Sequence, residues 1–432
     1  MLRELGAKRV LFLQGPNGPF FRRFARDLRE RGCEVTKVNF CAGDDLFYRG
    51  PDVVRFRGRP DEWPDFLREL LAGRRIEAIF LFGDGRPLHR AAVRIATEKG
   101  IPFWVLEEGY LRPDHVTIEQ SGVNGKSRLP KEADFYRRAA AQLADLPRPL
   151  AVGNTFWHQA LWTILSSVAV TFFFWLYPRY QHHRDVNALR QGFYWVRGAA
   201  RKLLYAVRDR GALDLLLARW RGRYFLLPLQ VHCDAQIQHS PYRRIEDLIV
   251  EVVASFAAHA PDDTCLVVKH HPHDRAYRDY GRLLRSLGRR HGCGARILYV
   301  HDLHLPTLLK HARGIITMNS TVGLSALHHG APVKVLGKAV YDIPGLTATT
   351  SLADFLVQPE PADAALLAAF VRWLREANQI NGSFYRRLAH LGTSCGLDAS
   401  VLPERTATRT VQASREAQTI AATSPARSGR GG

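Results

Sequence analysis

Short apolar runs alternate with helical stretches along the first 130 residues of the chain. Val10–Gln14 and Ala78–Phe82 are continuous apolar runs, and each is followed by a glycine. Such runs are typical of strands that are buried on both faces of a parallel sheet. The segments between and after these two runs predict helices at 20–31, 65–73 and 88–99 and strands at 34–40 and 102–106. This repeated strand–helix–strand order predicts a doubly wound α/β sheet.

A second series of the same kind begins near Arg223. Its predicted strands are Tyr224–Gln230, Cys265–Lys269, Ala295–Val300, Gly314–Met318 and Val333–Leu336. Its predicted helices are 245–258, 276–290, 306–312, 322–329 and 362–379. We therefore expect an α/β protein with two Rossmann-like domains that face each other across a crevice.

The length of the chain supports this division, because 432 residues are too many for one ordinary domain and suit two. We assign residues 1–150 to the first domain, 151–222 to a linking segment and 223–390 to the second domain. Residues 391–432 are expected to be a disordered tail, because the chain beyond Pro403 has little apolar content.

The linking segment begins with an uncharged stretch, residues 160–177, and no Asp, Glu, Lys or Arg lies between Arg148 and Arg179. Its length would allow a membrane span. A single span, however, would put the two domains on opposite sides of the bilayer. Two interpretations stay open: a segment lying at a membrane surface, with its Trp and Tyr side chains at headgroup level, and a helix buried between the domains.

The charge of the chain narrows the choice of partners. The net charge of +20 favours anions, and residues 179–223 hold eleven Lys and Arg against three Asp. Because this basic stretch follows the apolar one, it favours an anionic membrane surface over nucleic acid, for which no zinc-finger or aromatic RNA-binding pattern is present. The six cysteines lack paired spacing, and the N-terminus lacks a signal-peptide core, so we expect a cytoplasmic location.

Polar residues follow three strands of the second series, at the edge where open α/β sheets bind ligands. Asn319, Ser320 and Thr321 precede a helix, a turn that suits a phosphate group; simple helix capping explains the same pattern. Lys269 and His271 follow a second strand and are able to neutralise or protonate a phosphate.

The third of these strand ends contains Gln230 and Asp234. A carboxylate in the crevice is a candidate nucleophile or base, and an Asx turn is the alternative interpretation of Asp234. No spacing of His and Cys demands a metal.

Three loops of the first series, residues 14–21, 83–89 and 107–113, also follow predicted strands. They carry an unusual number of charged side chains, which favours a site over a merely polar rim of turns. The charged residues are Asp84, Arg86, His89, Glu107, Glu108 and Arg112. The glycines of residues 15–18 lack the spacing of a dinucleotide or ATP loop.

Taken together, the motifs resemble the capsular polysaccharide biosynthesis and export family of the KpsS/LipB type. The match runs from about residue 8 to residue 390. The motifs are LQGPNGPFF (13–21), FGDGRPLH (82–89), EEGYLRPD (107–114), LQVHCDAQIQHS (229–240), VKHHPHDR (268–275), NSTVGLSALHHGAPV (319–333), YDIPGL (341–346) and NGSFY (381–385).

This resemblance implies a GT-B-like, retaining β-Kdo transferase without a metal or other cofactor. The donor would be CMP-Kdo, where Kdo is the acidic sugar 3-deoxy-D-manno-octulosonic acid, and the acceptor a phosphatidylglycerol or its lyso form. The implied partners are a Kdo transferase that extends the linker and an ABC exporter, at the inner face of the cytoplasmic membrane. A different enzyme on the same scaffold, such as a sialyltransferase or a polymer-elongating glycosyltransferase, remains an alternative, and so does a non-catalytic factor coupling polymer synthesis to export.

The resemblance also implies roles for individual residues. Asp234 would be the nucleophile, His271 or Lys269 would assist departure of CMP, and Glu108 or Asp84 would activate the acceptor. The implied donor-binding residues are Gln230, Lys269, Pro272, Asn319, Ser320 and Thr321. The implied acceptor-binding residues are Gln14, Asn17, Arg86, His89, Tyr110 and Arg112.

Overall fold

The computed structural model describes residues 6–181, 187–234, 236–237 and 240–403. Most of the predicted tail therefore lies outside the described residues. The strands are β1 Arg9–Phe12, β2 Glu34–Asn39, β3 Val53–Arg55, β4 Ala78–Phe82, β5 Phe103–Glu108, β6 His115–Gln120, β7 Tyr224–Pro228, β8 Cys265–Lys269, β9 Ile297–Val300, β10 Gly314–Thr317, β11 Val333–Val335 and β12 Gln379–Asn381. 

The α-helices connect these strands and cover both faces of the sheets. They are α1 Phe20–Arg29, α2 Ala42–Phe47, α3 Trp63–Gly73, α4 Pro87–Glu98, α5 Ala133–Gln142, α6 Phe156–Phe172, α7 Ala188–Arg208, α8 Ala212–Trp220, α9 Ile245–His259, α10 Gly281–Arg290, α11 Leu305–His311, α12 Val322–His328, α13 Leu352–Val357 and α14 Ala364–Ala377.

Two separate sheets form the two halves, which confirms the predicted α/β class. The first sheet has the order β12-β6-β5-β4-β1-β2-β3 and the second the order β11-β10-β7-β8-β9. All pairs in the second sheet are parallel, and its central strands β7, β8 and β10 are buried throughout. The first sheet is not wholly parallel as predicted, because β6 and β12 pair antiparallel at one edge.

The chain returns to the first domain near its end, which corrects the predicted boundary at residue 390. Strand β12 pairs with β6, and Phe384 and Leu397 pack in the core of the first sheet. The buried Asp27 carboxylate accepts hydrogen bonds from the backbone N–H groups of Ser394 and Cys395, both at 2.7 Å. Residues 391–403 are thus part of the first domain, because they complete its apolar core.

Helix α6 packs on the first domain through one face only. A side chain at Gly43 would collide with Ser166, and one at Gly18 would lie 3.0 Å from the Trp162 ring. The opposite face is exposed, and so are the aromatic residues after it, Phe174 and Trp175. The alternative of a helix buried between the domains is therefore wrong. No helix in the described ranges is long and apolar enough to cross a bilayer.

Candidate functional site

The carboxyl ends of strands from both sheets meet at a polar crevice. Glu107 in β5 faces the second domain, where the side-chain Nε2 of Gln236 donates a hydrogen bond of 2.9 Å to its carboxylate. The backbone N–H of Gln236 donates in turn to Asp234 Oδ1 at 2.9 Å, which is the Asx turn that was the alternative interpretation of Asp234. One glutamine therefore joins a carboxyl group of the first domain to the predicted nucleophile of the second.

Asn124 lies at the centre of the contact between the domains. Its buried side chain donates to Gln236 Oε1 at 3.1 Å and to the carbonyl oxygen of Asn319 at 3.2 Å. Its Oδ1 accepts from the backbone N–H of Val340 at 3.2 Å. The backbone of Asn124 has a φ of 49°, which asparagine tolerates better than most residues. This conformation aims one side chain at three segments of the opposite domain.

The predicted donor-side residues Gln230, Asp234 and Asn319 come together as expected. Gln230 Nε2 donates to Asn319 Oδ1 at 3.1 Å and to Asp234 Oδ2 at 3.4 Å. Asn319 Nδ2 donates to the carbonyl oxygen of Gln236 at 2.8 Å. The carboxylate of Asp234 is thereby held by amide donors on both of its oxygens, which fixes its direction in the crevice.

The carboxyl groups of the first domain differ in environment. Burial, with Asp84 nearby, raises the pKa of Glu107 to about 8, so its carboxyl group holds a proton at neutral pH. Asp84 is buried and forms an ion pair with Lys126, with 3.2 Å between Nζ and Oδ2. Glu108, the predicted catalytic neighbour, accepts a hydrogen bond of 2.7 Å from the Tyr385 hydroxyl instead. Of the adjacent pair, Glu107 is the one that contacts the second domain.

His271 follows β8 and lies near Arg112 of the first domain. Burial, with His273 and Lys269 beside it, lowers the pKa of His271 to about 3, so the ring is neutral. Its Nδ1 accepts a hydrogen bond from the backbone N–H of His273 at 3.1 Å, which places the ring proton on Nε2. His271 is therefore a neutral hydrogen-bond donor rather than the resting acid that the sequence suggested, and Pro272 beside it is exposed.

Two further residues that were predicted to bind the donor form hydrogen bonds with neighbours in the second domain. The buried Lys269 Nζ donates to the carbonyl oxygen of His301 at 2.9 Å, and burial lowers its pKa. Ser320 Oγ accepts from the backbone N–H of Val322 at 3.3 Å, as a capping residue does. Thr321 makes no capping hydrogen bond with its side chain, and it is half-buried beside Ser320.

The residues that were predicted to bind the acceptor do not all lie at one place. Arg86 donates to Gln14 Oε1 at 2.8 Å, and Gln14 Nε2 donates to the Tyr180 hydroxyl at 3.0 Å. These three side chains line one small pocket beside the linking segment. Gln14 and Arg86 thus form a group beside Tyr180 of the linking segment, apart from the contact of Glu107 with Gln236.

Three other acceptor residues are turned inward or toward α6, contrary to expectation. His89 is buried under its loop with Nδ1 2.7 Å from the carbonyl oxygen of Gly83, and burial lowers its pKa to about 3. Tyr110 is buried, and its hydroxyl accepts from the backbone N–H of Asn124 at 2.5 Å. Asn17 donates to Thr163 Oγ1 at 3.4 Å. These side chains support the loops, since each is committed to a neighbour in the same half.

Sequence reasoning missed Asn124, Gln236, Lys126 and Tyr385. Gln236 stands two residues after Asp234, so its motif contained it without singling it out. Asn124 precedes Gly125, an Asn-Gly pair that signals a turn and gives no hint of contact with another domain. In the described part of the chain, no group of three or more His, Cys, Asp or Glu side chains converges as metal ligands do.

Two α/β domains with a polar crevice between their strand ends define a class of protein that binds its ligand between domains. The family model described as capsule polysaccharide biosynthesis protein matches residues 77–385, which include every crevice residue described above. The chain belongs to this family.

Two relatives extend the match to most of the chain. The capsule polysaccharide export protein KpsS of Escherichia coli is 40% identical over 393 residues, 88% of this chain and 98% of that protein. The capsule polysaccharide modification protein LipB of Neisseria meningitidis serogroup A is also 40% identical, over 88% of this chain and 93% of its own. These values confirm the resemblance stated from the motifs.

A solved structure, the β-Kdo 2,7 transferase KpsC of Thermosulfurimonas dismutans, also aligns with the chain. It covers 87% of this chain and 92% of its own, with 14% identity and a TM-score of 0.41.

Proposed function

We propose that this protein is a retaining glycosyltransferase that adds the first β-Kdo from CMP-Kdo to a phosphatidylglycerol or lysophosphatidylglycerol acceptor in capsule biosynthesis. The observation that supports it best is the link from Asp234 through Gln236 to the protonated Glu107, across the two domains. Retention by double displacement needs one nucleophile and one group that acts first as an acid and then as a base. The crevice holds both kinds of carboxyl group.

In this proposal, Asp234 attacks the anomeric carbon as the bond to the CMP phosphate breaks. Glu107 gives its proton to the departing phosphate, and Arg112 and the Nε2–H of His271 stabilise the phosphate charge. The acceptor hydroxyl then displaces Asp234 and loses its proton to the Glu107 carboxylate. Glu107 replaces Glu108 and Asp84 as the proposed acid and base, because Glu108 is held by Tyr385 and Asp84 by Lys126.

The donor and acceptor would approach from opposite halves. Gln230, Asn319, Ser320 and Thr321 would border the nucleotide, with Lys269 and Pro272 behind His271. Gln14 and Arg86 would receive the acceptor headgroup beside the exposed apolar face of α6. The protein would then act at the inner face of the cytoplasmic membrane, with the linker-extending Kdo transferase and the ABC exporter as partners.

The test is a transfer assay with purified protein, CMP-Kdo generated in situ and a fluorescent phosphatidylglycerol acceptor. Wild type should add the mass of one Kdo, with and without EDTA. Asp234→Asn, Glu107→Gln and His271→Ala should each lose about a hundredfold or more in rate, as acid–base and electrostatic groups do. The matched control is Asp262→Asn, because Asp262 is an exposed carboxylate of the same domain. Full activity of Asp234→Asn would refute the assigned nucleophile.

A second function is a non-catalytic factor that couples polymer synthesis to export. The name of the Escherichia coli relative, an export protein, favours it. Restoration of surface capsule in a strain lacking the corresponding gene separates the two. Asp234→Asn and His271→Ala should restore capsule under the coupling function and fail under the transferase function, whereas a truncation within residues 155–225 should fail under both.

A further inference from the structure

Helix α7 has two faces of opposite character. Residues on one face recur every three or four positions and contact the second domain: Gln191, Tyr194, Gly198, Arg201 and Tyr205. The opposite face is a stripe of large apolar side chains that are 60% to 77% exposed: Leu189, Phe193, Val196, Leu203, Leu204 and Val207. An exposed apolar stripe of this length marks a surface that binds something.

The inner face of α7 holds the chain segment that follows His271. Arg201 donates to the carbonyl oxygens of Arg275 and Arg278, at 2.7 and 3.2 Å. The Tyr205 hydroxyl donates to Asp279 Oδ2 at 3.2 Å. Arg201 and Tyr205 of α7 therefore hold residues 275–279 in position.

The same face also holds the end of the neighbouring strand β9. The Tyr205 ring stacks on His301 with 3.6 Å between centroids, and Asp209 accepts from the His301 backbone N–H at 2.7 Å. The carbonyl oxygen of His301 in turn accepts from Lys269. Both chain segments behind the proposed nucleotide site thus depend on the position of α7.

The outer face suits an anionic bilayer surface. Arg190, Arg197 and Arg208 recur at intervals of seven and eleven residues, so they form one row along an edge of the apolar stripe. No Asp or Glu occurs in α7. An amphipathic helix with apolar and basic edges lies in the headgroup region, where its basic residues are attracted to anionic lipids. Helix α7 contacts α6, which also exposes large apolar side chains.

We propose that α7 docks on an anionic bilayer and thereby fixes residues 271–280, so that bilayer binding and nucleotide binding strengthen each other. The nucleotide in this inference rests on the proposed function; the docking surface does not. The coupling must be reciprocal, because each ligand changes the affinity for the other by the same factor.

The experiment uses the full chain with vesicles of phosphatidylcholine alone or with one third phosphatidylglycerol. Cosedimentation measures docking, hydrogen exchange measures the protection of residues 271–280, and a titration measures CMP affinity. Wild type should bind only the anionic vesicles, gain protection in residues 271–280 and bind CMP about fivefold more tightly or better, a usual size for allosteric coupling.

Two variants separate the faces of the helix. Val196→Glu with Leu203→Glu should lower vesicle binding about tenfold or more and leave CMP affinity at its lipid-free value, since charge opposes insertion of the stripe. The matched control is Val357→Glu on α13, which is 52% exposed and should behave as wild type. Arg201→Ala should still bind vesicles but lose most of the gain in CMP affinity.

The possible failures are distinguishable. Equal CMP affinity and equal exchange with and without anionic vesicles, from protein that sediments with them, would refute the coupling. Equal vesicle binding by the double variant and the control would refute the docking surface. An absence of CMP binding under every condition would overturn the coupling and the proposed donor together, even if docking is observed.

Discussion

Substituting Glu107 by glutamine should stabilise the protein while it removes activity. The Glu107 carboxyl group lies in the crevice, and its pKa is raised from 4.5 to about 8 by burial and by Asp84. Gln236 donates to one of its oxygens, and the amide oxygen of a glutamine would accept the same hydrogen bond. The substitution therefore keeps the contact and removes only the ionisation.

The size of the effect follows from the pKa. Below pH 4.5, the folded and the unfolded chain both hold the Glu107 proton, so the raised pKa costs no stability. As the pH rises toward about 8, the unfolded chain releases this proton while the folded chain retains it, and the folded state loses stability. Each pH unit in this interval is worth about 1.4 kcal/mol, so at pH 7.5 the upper bound is about 4 kcal/mol. Glu107 is only half-buried, and screening by water reduces the expected loss of stability to about 2 kcal/mol.

Thermal unfolding of wild type and Glu107→Gln between pH 5 and 9 measures this difference. The variant should unfold about 4 °C higher at pH 7.5, and the gap should shrink toward pH 5 and level off above pH 8. Glu376→Gln, an exposed glutamate on α14, should show no such pH-dependent gap. A gap independent of pH, or a variant less stable than wild type at pH 7.5, would refute the protonated state of Glu107.

Three further substitutions test the packing around the site. Asn124→Ala should lower the free energy of unfolding by about 2 to 3 kcal/mol in urea titrations, because buried partners in the second domain lose their hydrogen bonds; an unchanged midpoint would contradict this. Gly109→Ala should prevent folding and abolish the yield of soluble protein, because the new Cβ would collide with the His115 carbonyl group. The control is Gly73→Ala, whose Cβ would have no atom within 4 Å and which should give a normal soluble yield. Asp27→Ala should expose residues 389–402 to limited proteolysis, and an unaltered cleavage pattern would speak against the anchor.

The central parallel strands β4, β7, β8 and β10 could be predicted because they are buried on both faces and therefore read as continuous apolar runs. The antiparallel edge strands could not. His115–Gln120 alternates polar and apolar residues, and Gln379–Asn381 has only three residues, so neither forms such a run. The return of the chain to the first sheet depends on pairing between residues far apart in sequence, which no local pattern encodes.

Part of the site was predictable for a similar reason. Gln230, Asp234 and Asn319 follow neighbouring parallel strands, so their meeting at one sheet edge follows from topology. The choice between Glu107 and Glu108 did not follow. Successive side chains of a strand point to opposite faces, and only the position of the second domain shows which face is the crevice.

The contact between the domains determines how the crevice would serve the proposed transferase. The contact has a polar and an apolar part: Asn124 bonds to Asn319 and Val340, and the rings of Phe135 and Tyr136 in α5 pack against Trp373 and Phe370 in α14. Hydrogen bonds exchange with water at a net cost of about 1 kcal/mol each, far less than the exposure of an apolar interface. Separating the halves would therefore expose these rings to water, and the contact that the rings stabilise brings Gln236 to Glu107. The raised pKa of Glu107 thus belongs to the closed crevice, and a proton would be held ready only where both domains enclose the substrate.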